Sequence, residues 1–100
     1  MTPDIIATVK LYETDRDGRE GPTPPGAFGC LFELDGEYFD CRLLLEEIGA
    51  LRPGQLATVP IKFLNPDMLG PRLRAAQCFH LWDGKVIADG EVKEIVMVNK

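Results

Sequence analysis

The last quarter of the chain reads Gln77-Cys-Phe-His-Leu-Trp-Asp-Gly-Lys-Val-Ile-Ala-Asp-Gly-Glu-Val-Lys-Glu-Ile-Val96. Its two apolar-rich arms are joined by Asp83-Gly84, a dipeptide typical of tight hairpin turns because both central positions need a positive φ. The arms hold the only histidine and the only tryptophan of the chain, His80 and Trp82. This stretch therefore predicts a β-hairpin and places the most distinctive side chains on it.

A two-residue turn at Asp83-Gly84 also sets which residues share a face of this hairpin. The inward face then holds Ala75, Phe79, Leu81, Val86, Ala88 and Val92. The outward face holds Cys78, His80, Trp82, Lys85, Ile87, Asp89 and Glu91. Aromatic and apolar side chains that point outward are typical of a protein-binding patch. The alternatives are that another segment covers this patch, or that a shifted register buries Trp82.

A second hairpin is predicted from Phe28 to Leu34 and from Glu37 to Leu45, around the dipeptide Asp35-Gly36. Its register makes one face apolar and the other mostly polar, so the turn and the burial pattern agree. The same register sets Cys30 opposite Cys41, close enough for a disulfide. Burial and the odd total of three cysteines favour two free thiols instead.

Two further segments alternate between apolar and polar residues as strands do, namely Ile5 to Glu13 and Leu56 to Leu64. Pro60 removes one backbone donor, so we expect it at a sheet edge, at a bulge or at a gap in the ladder. The segments 14–26 and 65–71 read as loops. With strands at 74–82 and 85–96, the sequence predicts a six-stranded antiparallel β-barrel without a helix. One domain, residues 1–100, contains a barrel of roughly residues 5–96.

The composition limits the classes of protein to which this chain can belong. The 100 residues are 45% hydrophobic and 27% charged, as in an ordinary globular domain. We expect no membrane segment and no signal peptide, and the cysteine count favours the cytoplasm. The net charge is −5, with four basic and eleven acidic residues in the first half and seven against five in the second. Such a balance argues against nucleic-acid binding.

Residues that could carry chemistry are few. Cys78 and His80 lie near Asp89 on the predicted outward face, but zinc usually needs four ligands and a catalytic dyad needs an orienting group. The segment from Asp15 to Glu20 lacks the ligand spacing of a calcium loop. We therefore expect no catalytic residue, cofactor or metal, and no enzyme activity. A small hydrolase or metal protein that uses Cys78 and His80 is the least supported alternative.

A family resemblance rests on several short motifs and on their order along the chain. These are Gly18-Arg19, Pro24-Pro25-Gly26, Pro53-Gly54-Gln55, Pro66, Leu73-Arg74 and the run Asp83 to Val92. Their order and spacing resemble the C-terminal (third) β-barrel domain of elongation factor Tu and related translation GTPases. The resemblance implies a six-stranded barrel. In the factor, this barrel packs on a second barrel, contacts the GTPase domain and the exchange factor, and helps to hold aminoacyl-tRNA.

The chain departs from that family in ways that concern function. It has no phosphate-binding motif of a GTPase, Ala88 replaces a family glycine, and Gln55 replaces a turn aspartate. We therefore expect a stand-alone, non-catalytic protein-binding module, as a monomer or weak homodimer. Its contact residues are predicted to be His80, Trp82, Lys85 and Ile87, with Arg19 as a second choice. An RNA- or tRNA-associated accessory of translation is the main alternative, which needs a contiguous basic surface of Lys62, Arg72, Arg74 and Lys85.

Overall fold

The computed structural model describes residues 2–13 and 21–97. Its strands are β1 (Ile5–Leu11), β2 (Ala27–Leu34), β3 (Glu37–Leu44), β4 (Leu56–Phe63), β5 (Cys78–Trp82) and β6 (Val86–Ile95). They form a closed barrel in the order β1-β4-β3-β2-β5-β6, and every neighbouring pair is antiparallel. The predicted all-β class and six-stranded barrel are therefore confirmed.

The interior of the barrel is filled by side chains that alternate inward along the strands, as a small barrel requires. In β1 the four inward residues are fully buried: Ile5, Ala7, Val9 and Leu11. At the centre, the rings of Phe32 and Phe79 stack with their centroids 4.2 Å apart, and Phe63 meets Phe32 edge-on at 4.9 Å. These aromatic contacts tie β2, β4 and β5 together across the core.

The β2–β3 hairpin has the predicted register, with Phe32 opposite Phe39 and Cys30 opposite Cys41. Its turn residues Asp35 and Gly36 have φ values of 52° and 82°, as a type I′ turn requires. The sulfur atoms of the two cysteines lie 3.6 Å apart, and both thiols are free. Two thiols rather than a disulfide therefore face each other in the core.

Two seams of the barrel are short. β2 pairs with β5 through three residues only, and β3 pairs with β4 through three residues, Ile61 to Phe63 on the β4 side. Pro60 lies just beyond that second ladder, while it still pairs with Ile6 of β1. Of the three positions expected for Pro60, the structure shows the gap in a ladder, because the β3–β4 ladder ends at Ile61.

The connection from β4 to β5 contains two single helical turns, α1 (Pro66–Leu69) and a 3₁₀ turn (Gly70–Arg72), where the sequence predicted a loop. The guanidinium of Arg72 forms an ion pair with Glu37 and lies 5.5 Å from the ring centre of Phe39. Both partners belong to β3, so Arg72 fastens this connection to the outside of the barrel. Within the described residues, neither helical turn is long or apolar enough to cross a membrane.

Asp4 joins the beginning of β1 to two other strands. Its buried carboxylate accepts a hydrogen bond from the Phe63 N–H at 2.8 Å and lies 3.3 Å from Lys62 Nζ. Its carbonyl oxygen accepts the N–H groups of Val96 and Met97 at 2.8 and 2.9 Å. Asp4 therefore closes the barrel where β1, β4 and the end of β6 meet.

Candidate functional site

The last hairpin differs from its predicted register. It closes through three residues rather than two, with Gly84 at a φ of 76°, and Trp82 pairs with Val86 while Leu81 pairs with Ala88. Ile87 is the extra residue of a β-bulge. From Ala88 onwards, each residue of β6 therefore pairs with β5 one position later than it would without the bulge. The prediction that Ile87 points outward is therefore wrong, because Ile87 is fully buried beside Ala88.

Two smaller expectations about the inward face are also wrong. Val86 was predicted for the core and is instead 38% exposed at the start of β6. Ala75 was also predicted for the core and lies exposed before β5. Phe79, Leu81 and Val92 are buried as predicted. The predicted inward face is thus correct within β5 and at Ala88 and Val92, and it is wrong at Val86 beside the bulge and at Ala75, which precedes the strand.

Trp82 lies on the outer surface of the barrel, half-buried, and it contacts a tyrosine from a distant strand. The ring centres of Trp82 and Tyr38 are 6.1 Å apart and their planes meet at 68°, an edge-to-face contact. Leu31 of β2 pairs with Trp82, and Tyr38 of β3 is 54% exposed. The pairing of β2 with β5 therefore creates an outward aromatic pair from two hairpins.

A polar row runs beside this aromatic pair. Glu33 pairs with His80, and His80 pairs with Asp89, so the imidazole lies between two carboxylates. His80 Nε2 lies 3.2 Å from Asp89 Oδ1, and its Nδ1 lies 3.8 Å from Glu33 Oε1. The hydroxyl of Tyr12 donates a hydrogen bond of 2.7 Å to Asp89. Four polar side chains from four different segments thus form one row across the barrel.

The environment of Tyr12 changes the pKa of its hydroxyl. Partial burial, the hydrogen bond to Asp89 and the negative charge of Asp89 raise the pKa of Tyr12 from 10.0 to about 12. Each cause disfavours the phenolate, because burial removes its solvation and the carboxylate repels it. Tyr12 is therefore a neutral hydrogen-bond donor that holds the Asp89 carboxylate in place.

The structure brings some of the predicted contact residues together. His80 and Trp82 lie two residues apart on the outside of β5, and Lys85 is exposed in the turn that follows. Ile87 is buried in the core and so is not part of the outer surface. Arg19 lies outside the described residues. Sequence reasoning missed Tyr38 as a neighbour of Trp82. The only available signal was that Tyr38 sits on the outward face of its hairpin.

The arrangement gives little support to chemistry at Cys78. Cys78 is exposed and pairs with Glu91 rather than with Asp89. Among the residues that the structure describes, no hydrogen bond links its sulfur to His80. In the same part of the chain, no group of three or more His, Cys, Asp or Glu residues is placed to hold a metal ion.

The four cations that an RNA-binding role requires are partly neutralised. Lys62 lies against the Asp4 carboxylate, and Arg72 is paired with Glu37. An ion pair lowers the positive potential that a phosphate backbone would meet. Within the part of the chain that the structure describes, Arg74 and Lys85 are the two members of this group without an ion pair. The positive charge of the expected basic surface is therefore reduced at the other two of its four positions.

Comparisons with known proteins do not identify a family. A scan against protein-family models and a search of curated proteins each give no match for this chain.

Proposed function

We propose that this chain is a non-catalytic protein-binding module whose contact surface is centred on Trp82 and Tyr38. The observation that carries the proposal is their edge-to-face contact on the outside of the barrel. Trp82 lies outside the core, beside a tyrosine that is more than half exposed. Tryptophan and tyrosine are among the residue types that dominate binding energy at protein interfaces.

The surroundings of the aromatic pair favour the same proposal. Apolar side chains, Leu31 and Val86, flank Trp82 on the two neighbouring strands. Polar groups, Glu33, His80 and Asp89, run along one side. An apolar centre with a polar rim is the usual anatomy of a protein interface.

The resemblance to the third domain of elongation factor Tu enters here as part of the proposal. A closed six-stranded antiparallel barrel is the architecture that this resemblance implies. We propose a relative of that domain, a monomer or weak homodimer, that works in the cytoplasm. The two free thiols in the core support a reducing compartment. Binding of tRNA has less support, because Lys62 and Arg72 are already paired with carboxylates.

Affinity capture with matched variants tests the proposal. Wild-type protein should retain a partner from a cell extract, and Trp82→Ala should lose it while melting in one cooperative transition. Leu56→Ala is the control, because Leu56 is a large apolar side chain, 63% exposed on β4, and it should keep the partner. Retention of the same partner by Trp82→Ala contradicts the proposal. So does unfolding of this variant, since Trp82 would then be a core residue.

A further inference from the structure

Two thiols face each other in the core, and neither has a part in the proposed contact surface. Cys30 of β2 and Cys41 of β3 lie directly opposite each other in the ladder. Their sulfur atoms are 3.6 Å apart and share a hydrogen bond. Both are free thiols, and the third cysteine, Cys78, is exposed on β5. The fold therefore holds two reactive groups of the same kind side by side.

The β2–β3 ladder keeps this pair in the geometry that a disulfide needs. It runs from Ala27 to Leu34 without a bulge. Counted outward from the two-residue turn, Cys30 and Cys41 form a hydrogen-bonded pair, whose Cα atoms are ~5.5 Å apart. Disulfides span Cα separations of roughly 4.4–6.8 Å, with the two sulfur atoms about 2.0 Å apart. Closure therefore requires rotation about the two Cα–Cβ bonds and no change of register.

The two sulfur atoms differ in access to solvent. Cys30 is 9% exposed, the highest value among the buried core residues that the structure describes, whereas Cys41 is 3% exposed. Cys30 is also the residue at which the seam between β2 and β5 opens, because that ladder ends at Leu31. A molecule as small as a peroxide therefore reaches Cys30 first.

The hydrogen bond between the thiols sets the order in which they react. This bond and burial raise the pKa of the Cys41 thiol well above its ordinary value, so Cys41 keeps its proton and its S–H donates to the Cys30 sulfur. An acceptor sulfur retains such a bond when it becomes a thiolate, and the thiolate is the form that attacks an oxidant. Cys30 is thus suited to react first and Cys41 to react second.

We propose that Cys30 and Cys41 form a reversible oxidation site whose oxidant is a hydroperoxide. The Cys30 sulfur attacks the peroxide, an S–O bond forms as the O–O bond breaks, and the Cys30 proton leaves with the departing oxygen as water or an alcohol. The Cys41 sulfur then attacks this sulfenic acid. An S–S bond replaces the S–O bond, and the hydroxide leaves with the Cys41 proton as water. Two electrons pass from the sulfur atoms to the peroxide.

This site differs in kind from the proposed binding surface. It lies in the core, whereas Trp82 and Tyr38 contact each other on the outside of the barrel. Disulfides in reducing compartments are usually transient, and many serve catalysis or redox sensing. A pair that is reduced in the resting protein and closes with peroxide is a redox switch. The reaction needs no bound partner, so its test is independent of the proposed function.

Mass spectrometry of the Cys78→Ser protein tests the proposal, because this variant keeps the core pair as its only cysteines. The reduced, folded protein is treated with hydrogen peroxide, freed of oxidant with catalase, and then unfolded in urea with iodoacetamide. The expected product is lighter than the starting chain by two hydrogen atoms and takes up no iodoacetamide. Dithiothreitol should restore two labelled cysteines. Uptake of two labels after peroxide treatment, or disulfides between chains, overturns the proposal.

Two further measurements locate the reaction and its order. Urea below the unfolding transition should leave the rate unchanged, whereas a rate that climbs steeply with urea means that only the unfolded chain reacts and overturns the site. With Cys78→Ser and Cys41→Ser combined, the remaining Cys30 should form a sulfenic acid that dimedone traps. With Cys78→Ser and Cys30→Ser combined, the remaining Cys41 should stay reduced. Trapping at Cys41 and not at Cys30 overturns the assigned order.

Discussion

The ring of Phe79 lies over Gly90 on the paired strand, in the space where a side chain at position 90 would begin. An aromatic ring thus fills the gap left by a glycine across β5 and β6. The same ring stacks on Phe32, with the two ring centroids 4.2 Å apart. Phe79 is therefore held by contacts with Phe32 and Gly90, and its position depends on the absence of a Cβ at Gly90.

Gly90→Ala should lower the free energy of unfolding by about 1–3 kcal/mol, the usual cost of overpacking a core. Urea denaturation measures this change. Gly29→Ala is the matched control, because its added methyl would meet only the flexible end of Arg42, which can move into solvent. Equal stability losses in the two variants would show that the Phe79 ring can yield as easily as a surface arginine.

Removal of the Asp4 carboxylate should weaken the closure of the barrel. Asp4→Ala leaves the Phe63 N–H without its acceptor and Lys62 without its partner, so we expect a loss of roughly 2–3 kcal/mol of stability. Asp4→Asn keeps an acceptor oxygen and should lose less. Thermal unfolding followed by circular dichroism ranks the three proteins. An Asp4→Asn variant less stable than Asp4→Ala would contradict this account.

The three cysteines should differ sharply towards a thiol reagent. Cys78 is exposed, whereas Cys30 and Cys41 are buried. A hydrogen bond to Cys30 and burial raise the pKa of the Cys41 thiol well above its ordinary value, and the thiolate is the reactive form. Native protein should expose one fast-reacting thiol, and the unfolded chain should expose three. Cys78→Ser should show none in the native state; a rapid reaction there would mean that the core opens readily.

Ionisation of Tyr12 gives a test of the polar row. Tyr38→Phe leaves Tyr12 as the single tyrosine, so the ultraviolet absorbance of phenolate reports its titration, with an expected pKa of about 12. Adding Asp89→Asn removes the repelling carboxylate and should move the pKa back towards the ordinary 10.0. A double variant that titrates like Tyr38→Phe alone would mean that the charge of Asp89 contributes nothing and that burial and a retained hydrogen bond cause the shift.

The raised pKa of Tyr12 also predicts how stability changes at alkaline pH. The folded state holds the Tyr12 proton more tightly than the unfolded state does. The stability that this protonated hydroxyl contributes is therefore complete below pH 10 and is lost as the pH rises from 10 through about 12. Asp89→Asn should therefore lose less stability over this alkaline window than the wild type loses.

The two hairpins show how far sequence alone could predict this fold. In β2 and β3, strict alternation and the Asp35-Gly36 turn specify the same register, and that register is the one observed. In the last hairpin, three apolar residues follow one another from Val86 to Ala88, so alternation does not decide which of them points inward. In the structure, a β-bulge buries both Ile87 and Ala88. The sequence contains no signal that predicts this bulge.

The candidate surface was predictable only in part for a similar reason. The outward position of Trp82 follows from alternation along a single strand. Its contact with Tyr38 depends on the pairing of β2 with β5, through residues about 50 positions apart. Long-range pairing of this kind has no local sequence signal, so Tyr38 could be recognised only in the folded barrel.

The hydrogen bonds from Val96 and Met97 to the Asp4 carbonyl bring the beginning of β1 and the end of β6 side by side. A polypeptide therefore enters and leaves this barrel at nearly the same point. Domains with adjacent ends tolerate circular permutation and insertion into a surface loop of another protein. The barrel could thus be carried as an insert within a larger host, with a short linker on each side and its own core unchanged.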